Sequence, residues 1–335
     1  MLDEDLEAVL NESRNDARNE GHSALAWLVL ARDADSHVAI LRSLSKPVTA
    51  SSSTTAAIAA AIVALSLAGW TRAKPAPVPP FAHVIVVVFE NKEASSVLGN
   101  PAAPTFNSYA RRYASLTRYY AVTHPSLPNY IALVSGSTRG IKSNCTRCTV
   151  SAPNLADTLE AAGKTWKSYA EGLPSRGFLG GSSGRYAKKH NPFAYFRSIA
   201  GNANRRNRIV PLRELRLDLR AGRLPDFAFV VPDLCNSMHD CSVAVGDAWL
   251  RRTVTPLLGL PNSVVFVLFD EGSTNVRGGG HTAALALGTA VQRGARYGAV
   301  TGHYGVLRTI EGAWGLPLLG RSAMTRPIAG IWASS

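Results

Sequence analysis

Three unbroken apolar runs, each closed by an acid, dominate the hydropathy pattern of the chain. Val264 to Phe269 (VVFVLF) runs into Asp270 and Glu271, His83 to Phe89 (HVIVVVF) into Glu90 and Asn91, and Asp226 to Pro232 (DFAFVVP) into Asp233. Runs this short, rich in β-branched and aromatic residues with no polar alternation, predict strands buried on both faces of a parallel sheet. In an open parallel sheet the ligand crevice lies beyond the carboxyl ends of the strands, which puts these acids at its mouth. Three strands delivering acids to one edge make an oxygen-rich site for a hard or borderline divalent metal ion. The competing reading makes them strand-end turn residues or helix caps.

Between the strands, helical periodicity predicts helices over 105–115, from Asn129 to a stop at Gly136, from Asn154 as cap through NLADTLEAAGK, over 243–260 and over 304–314. Pro128 suits a first helical turn, so Ser126 stands at or just before a helix N-terminus, where exposed N–H groups favour an anion. On position alone it is an N-cap; beside a metal its hydroxyl becomes a nucleophile. The tract from Arg205 to Arg223 alternates Arg with Leu and reads as a solvated helix face presenting Arg213, Arg216 and Arg220.

The first eighty residues differ from the rest. Residues 1–47 carry nine Asp/Glu against five Lys/Arg, so of the formal +13 of the 335-residue chain the remainder holds +17. Ala56 to Trp70 is nearly uncharged, preceded by Arg42 and Lys46 and followed by a Pro-rich stretch. These features predict three parts: an acidic extension (1–47), a signal peptide or membrane anchor with linker (48–80) and a main domain (81–335). The protein is then secreted or held at the cell envelope by the segment around 48–70. An acidic segment does not belong ahead of a signal peptide, which implies either a start placed too early or a cytosolic tail on an anchored protein. The basic body attracts anions, among them phosphate esters, anionic lipid, cell-envelope polymer and nucleic acid, without choosing. No dedicated nucleic-acid motif is present.

Cys145 and Cys148, and Cys235 and Cys241, are the four cysteines. In an exported chain they predict disulfides, most simply two local loops; a four-thiolate zinc site is the rival.

The string HPSLPNYIALVSG, with Glu90-Asn91 before it and PDLCNSMHDC and FDEGS after it, resembles the phosphoesterase family of bacterial acid phosphatases and phosphatidylcholine-type phospholipases C. The similarity covers roughly residues 82–320. It implies an alkaline phosphatase-like α/β fold, with a doubly wound, mostly parallel sheet and helices on both faces. It further implies a phosphoserine intermediate on Ser126, and Glu90, Asn91, Ser126, Asp270 and Glu271 around a divalent metal of unspecified identity and number. Asn144 would hold a phosphoryl oxygen, or else is a plain loop residue. His190, in HNPF, would face the phosphate, or else packs in a loop. Asp233 joins this substrate-binding set. His239 and His281 are the candidate proton donors, the latter because three glycines precede it at a strand entrance. His303 is assigned a capping or supporting role, and His124 has no assigned place.

These expectations converge on an exported, metal-dependent hydrolase of small phosphate esters, acid-phosphatase-like. Two alternatives stand beside it: a phospholipase C acting on lipid head groups, and a basic cell-surface or nucleic-acid-binding module without turnover.

Overall fold

The computed structural model describes residues 78–333 and, ahead of them, only the backbone of an antiparallel strand pair, Leu30–Asp33 with Ser36–Ala39. The chain divides into units 1–72 and 73–335, and everything below concerns the second. The expected export segment falls almost wholly outside the described residues. No helix among the described residues is long and apolar enough to cross a membrane.

An eight-stranded sheet organises this unit. In chain order its strands are β1 (His83–Phe89), β2 (Ala114–Leu116), β3 (Trp166–Ala170), β4 (Ile209–Pro211), β5 (Phe227–Val231), β6 (Ser263–Phe269), β7 (Leu285–Leu287) and β8 (Arg296–Tyr297). Across the sheet they run β8-β2-β7-β6-β1-β5-β3-β4. All are parallel except β7, antiparallel to both neighbours. The three acid-terminated runs are its centre, β6-β1-β5.

Alternation explains why these runs are apolar throughout. Val84, Val86, Val88, Phe266 and Leu268 enter one core, while Ile85, Val87, Phe89, Val265 and Val267 enter the other. A strand clothed on both faces has no position left for a polar residue, as expected of a doubly wound α/β sheet. The longer helices are α1 (Pro104–Arg112), α2 (Ser126–Ser135), α3 (Leu155–Ala161), α4 (Arg213–Arg220), α5 (Val243–Val254) and α6 (His303–Trp314). Residues of α2, α3 and α6 fill the first core; residues of α1, α4 and α5 fill the second.

Local signals account for the helix ends. Asn154 caps α3 in a reciprocal capping box with Asp157. Gly136 closes α2 at φ 67°, where a Cβ would also strike the Leu319 carbonyl oxygen. Helix α1 has no cap of its own; Asp247 on α5 accepts from the N–H groups of Thr105 and Phe106 at 3.1 and 2.9 Å.

Three helix expectations are corrected. Residues 114–116 form β2 rather than the end of α1. The tract 205–223 holds a short turn, then β4, then only the eight residues of α4. The helix expected over 243–260 is α-helical to Val254 and continues as a 3₁₀ turn through Leu257. The four cysteines form two disulfides, Cys145–Cys148 and Cys235–Cys241, which removes the zinc-thiolate alternative.

Candidate active site

Because β1 and β6 pair in register with Phe89 opposite Phe269, the residues that follow emerge side by side. Glu90, Asp270 and Glu271 are all buried at this edge, at 0%, 1% and 6% exposure. Among the described residues no lysine or arginine forms an ion pair with any of them; Glu90 and Glu271 each have a histidine partner and Asp270 has none. Helix α2 delivers Ser126 between them. Its hydroxyl lies 3.2 Å from both Glu90 Oε2 and Glu271 Oε1 and can donate to either. Ser126 is the first residue of α2, with Pro125 at the cap position, so its hydroxyl does not cap its own helix. One turn on, the same face presents the Tyr130 hydroxyl, which donates to Glu90 Oε1.

Each carboxylate responds to this crowding differently. Burial and repulsion from Glu90 and Glu271 hold the Asp270 carboxyl well above the usual range. Burial also raises Glu271, against the opposing pull of His124. Burial works on Glu90 in the same sense, but the His190 ring, the Tyr130 hydroxyl and Lys189 outweigh it and draw Glu90 down.

Two buried oxygens here have no partner: Asn91 Oδ1 and Asp270 Oδ2. Asp270 Oδ1 is occupied, accepting from the N–H groups of Asn91 (3.1 Å) and Glu271 (2.7 Å). Among the described residues, no three His, Cys, Asp or Glu side chains already converge as a metal cluster. The donor chemistry nevertheless fits a hard divalent cation, since three buried carboxylates, one of them with an unpartnered oxygen, an orphaned amide oxygen and a hydroxyl are what such an ion takes up.

Histidines surround this cluster at different depths. His190 is 1% exposed, stacks on Tyr130, and places Nε2 3.0 Å from Glu90 Oε2 but off the line of a hydrogen bond. His239 lies beside it, ring centroids 6.1 Å apart, with Nδ1 2.6 Å from Asp240 and Nε2 3.2 Å from Lys189 Nζ. The lysine can only donate, so His239 Nε2 accepts and Nδ1 carries the proton toward Asp240. His303 supports Asp270 from behind: its Nε2 donates to the Asp270 carbonyl at 2.8 Å and its Nδ1 accepts from the Tyr119 hydroxyl. Burial lowers His303 to about 4, which keeps the ring neutral, and the Asp270 carbonyl, an acceptor only, fixes the tautomer.

Asn144 reaches the site from its loop. Its Oδ1 accepts from the Leu127 N–H at 3.0 Å, so the group it retains for a ligand beside Ser126 is the Nδ2 donor. Two sequence candidates are engaged elsewhere. Asp233 turns back on its own loop, Oδ1 accepting from the N–H groups of Cys235 and Asn236, as a strand-end turn residue does. His281 commits Nε2 to the Thr117 carbonyl at 3.0 Å, which makes it a strand tie instead of a proton donor.

Other residues enter that the sequence reading did not assign. His124 bridges Glu271 Oε2 (2.7 Å) and the Thr274 carbonyl (2.9 Å). Its position two residues before Ser126 was the available signal. Lys189 and Tyr130 could have been noticed as the neighbour of His190 and the residue one turn after Ser126. Glu93 gave no signal: it gathers the N–H groups of Ser273, Thr274 and His281 and the Thr274 hydroxyl.

The sequence profile of the phosphoesterase family matches residues 90–317, which take in every residue of this cluster. The chain belongs to the phosphoesterase family. It is 36% identical over 304 residues to a phosphatidylinositol-3-phosphatase of Mycobacterium tuberculosis, covering 87% of this chain and 98% of that protein. It is 33% identical over 221 residues to an acid phosphatase of Aspergillus fumigatus, covering 62% of this chain but only 49% of the fungal protein. A solved structure of an alkaline phosphatase superfamily protein from Vibrio parahaemolyticus shares the fold, with TM-score 0.52 and 14% identity over 74% of this chain and 72% of that one. This phosphoesterase is therefore a phosphoric ester hydrolase with an alkaline phosphatase-like sheet, and phosphate esters are its substrates.

Proposed function

We propose that this phosphoesterase is a metal-dependent monoesterase that transfers phosphate through Ser126. The observation that carries the reading is the Ser126 hydroxyl, 1% exposed and 3.2 Å from both Glu90 and Glu271 on the first turn of α2. A divalent cation held by Glu90, Asn91, Asp270 and Glu271 together with Ser126 would lower the serine pKa and offset the negative charge of the phosphoryl group.

The residues of the chain supply the rest. Glu90 or Glu271 takes the proton as Ser126 Oγ forms its bond to phosphorus, and the ester P–O bond breaks on the opposite side. The departing oxygen takes a proton from the His239–Lys189 pair, and the Asn144 amide donates to a nonbridging oxygen. Water then attacks phosphorus and gives a proton back to the His239–Lys189 pair, the Ser126 O–P bond breaks, and the proton held by the glutamate returns to Ser126 as phosphate leaves. His303 and Tyr119 hold the Asp270 backbone, while His124 holds Glu271.

Soluble monoesters are one substrate class. The name of the mycobacterial relative adds a lipid phosphomonoester, and with 98% of that protein covered we place it beside them. A phospholipase C reading has no comparable observation in its favour. Two local disulfides support export to an oxidising compartment. The test compares an aryl phosphate monoester, its diester, a choline phospholipid and phosphatidylinositol 3-phosphate, each with and without chelator. Monoester turnover lost on chelation is expected; a strong preference for the diester or the choline lipid overturns the reading.

A further inference from the structure

Helix α4 sorts its charges by face. Its two acids, Glu214 and Asp218, are 8% and 6% exposed. Glu214 accepts from Arg176 Nε and Nη2 at 2.8 and 2.7 Å, and Asp218 Oδ2 accepts from Lys167 (2.5 Å) and the Tyr169 hydroxyl (2.8 Å). Both acids are thus neutralised on the inner face. The spacing i, i+3, i+4, i+7 puts Arg213, Arg216, Leu217 and Arg220 on one face of the helix. All four are exposed, Leu217 at 56%. What the helix offers to its surroundings is cationic and apolar, with no acid.

Beside it opens a cleft of about 540 Å³. Leu215, Leu219 and Leu257 contribute to an apolar wall, and Arg213, Arg216 and Arg252 line it as well. The cleft also includes Glu171 and Pro211, at the carboxyl ends of β3 and β4. It therefore lies at the same sheet edge as Glu90 and Asp270. Strand β4 is three places from β1, and at a strand spacing of about 4.8 Å the offset across the sheet is roughly 14 Å.

We propose that this face docks on an anionic phospholipid bilayer. The arginines pair with headgroup phosphates, their stems lie along apolar surface, and the exposed Leu217 with the half-buried Leu219 takes up acyl carbon. The face lies on the side of the sheet opposite α2 and meets the carboxyl edge where the cleft reaches Glu171 and Pro211. An arginine face alone would equally suit nucleic acid. Here Leu217 stands exposed among the arginines and the cleft is lined by leucine and proline with no aromatic residue, so bases have nothing to stack on while acyl chains have a surface. The inference rests on the phosphomonoesterase reading only in giving the lipid phosphomonoester a route to Ser126.

The experiment uses the full chain, with vesicles of phosphatidylcholine alone and of phosphatidylcholine with phosphatidylserine. Co-sedimentation is measured for wild type, for Arg216→Ala/Arg220→Ala and for Leu217→Asp, with melting curves and aryl phosphate turnover alongside. Wild type is expected to bind the anionic vesicles and to lose binding as salt rises. The double variant should bind about 30-fold more weakly, from the loss of two basic residues near an anionic surface. Leu217→Asp should also weaken binding. Aryl phosphate turnover should be unchanged, because none of these residues touches the site. Equal binding by wild type and the double variant overturns the proposal. So does loss of single-stranded oligonucleotide binding with vesicle binding intact, which makes the face a nucleic-acid surface. Binding carried by the apolar segment at 56–70 would persist on neutral vesicles and in both variants, and that too overturns it. If wild type fails to hydrolyse the aryl phosphate, the catalytic reading falls while vesicle binding still decides the docking surface.

Discussion

Ser126 and Glu271 meet at 3.2 Å, although 144 residues of chain lie between them. The serine arrives on a helix N-terminus and the glutamate on a strand C-terminus, so the contact exists only once α2 has packed across the sheet. A hydroxyl held this way contributes little to folding, since it is not the cap of its helix and the carboxylates it touches have other partners.

Ser126→Ala should therefore separate catalysis from stability. Monoester turnover is expected to fall by about three orders of magnitude or more, while the melting temperature moves by no more than loss of one modest hydrogen bond, about 1 kcal/mol, would cause. Rapid acid quench with labelled substrate should trap phosphate on Ser126 in the wild type. Label on another residue, or near-normal turnover in the folded variant, would sink the serine mechanism.

How much of this was legible in the chain follows from where the information lies. Phe89 and Phe269 end long apolar runs, and the general geometry of parallel sheets says where the next residues go, so Glu90, Asp270 and Glu271 could be placed without coordinates. Ser126 followed from Pro128 and the stop at Gly136. Strands β2 and β4 were missed because three residues are too few to establish a period. Asp233 and His281 have sequence surroundings like those of real site residues, and only the direction of the side chain separates them. His124 near Ser126 and Lys189 beside His190 carry a local hint of the site, but their partners lie 147 and 50 residues away, which no local pattern contains.

Asp270→Asn tests the cation site. Asp270 Oδ2 is buried without a partner, and Asn cannot offer the same charged oxygen. Metal content after dialysis, measured by elemental analysis, should fall with an affinity loss of about 100-fold, with turnover falling in parallel. Full metal content in a folded variant would remove Asp270 from the ligand set.

Glu93 should matter without touching the reacting groups. Its carboxylate holds the loop at Ser273 and Thr274, the Thr274 carbonyl holds His124, and His124 holds Glu271. Gly272 and Gly280 leave room for it, since a Cβ at either would meet Glu93 Oε1 at 2.2 or 2.5 Å. Glu93→Gln keeps one acceptor oxygen and loses the charge shared among four donors. A fall in kcat of about tenfold, or ~1.4 kcal/mol, with KM nearly unchanged is expected, together with faster amide exchange across 272–281. Faster exchange with kcat intact would show that order in this loop is not transmitted to Glu271.

Glu311 on α6 is 1% exposed; Oε1 accepts from the Leu319 N–H at 2.9 Å and Oε2 has no partner. Burial raises its pKa to about 7, against the opposing hydrogen bonds of Ser322 and Leu319 and the charge of Arg308. In the unfolded chain the same group titrates near 4.5. The folded state therefore keeps a proton that the unfolded state has released. The stability this confers is complete below the unfolded value and is lost as pH rises through about 7, at no more than about 1.4 kcal/mol per pH unit in between. Helix α6 packs against α2 and contributes Val306, Leu307 and Ile310 to the core they share, so the loss falls on the support of Ser126. Glu311→Gln keeps an oxygen for the Leu319 N–H and cannot ionise. Urea midpoints from pH 5 to pH 8 should decline for wild type and decline less for the variant. The difference between the two slopes isolates Glu311 from the other carboxylates that titrate in this range. Parallel slopes would mean that Glu311 is already ionised at pH 5 in the folded protein, with water reaching Oε2.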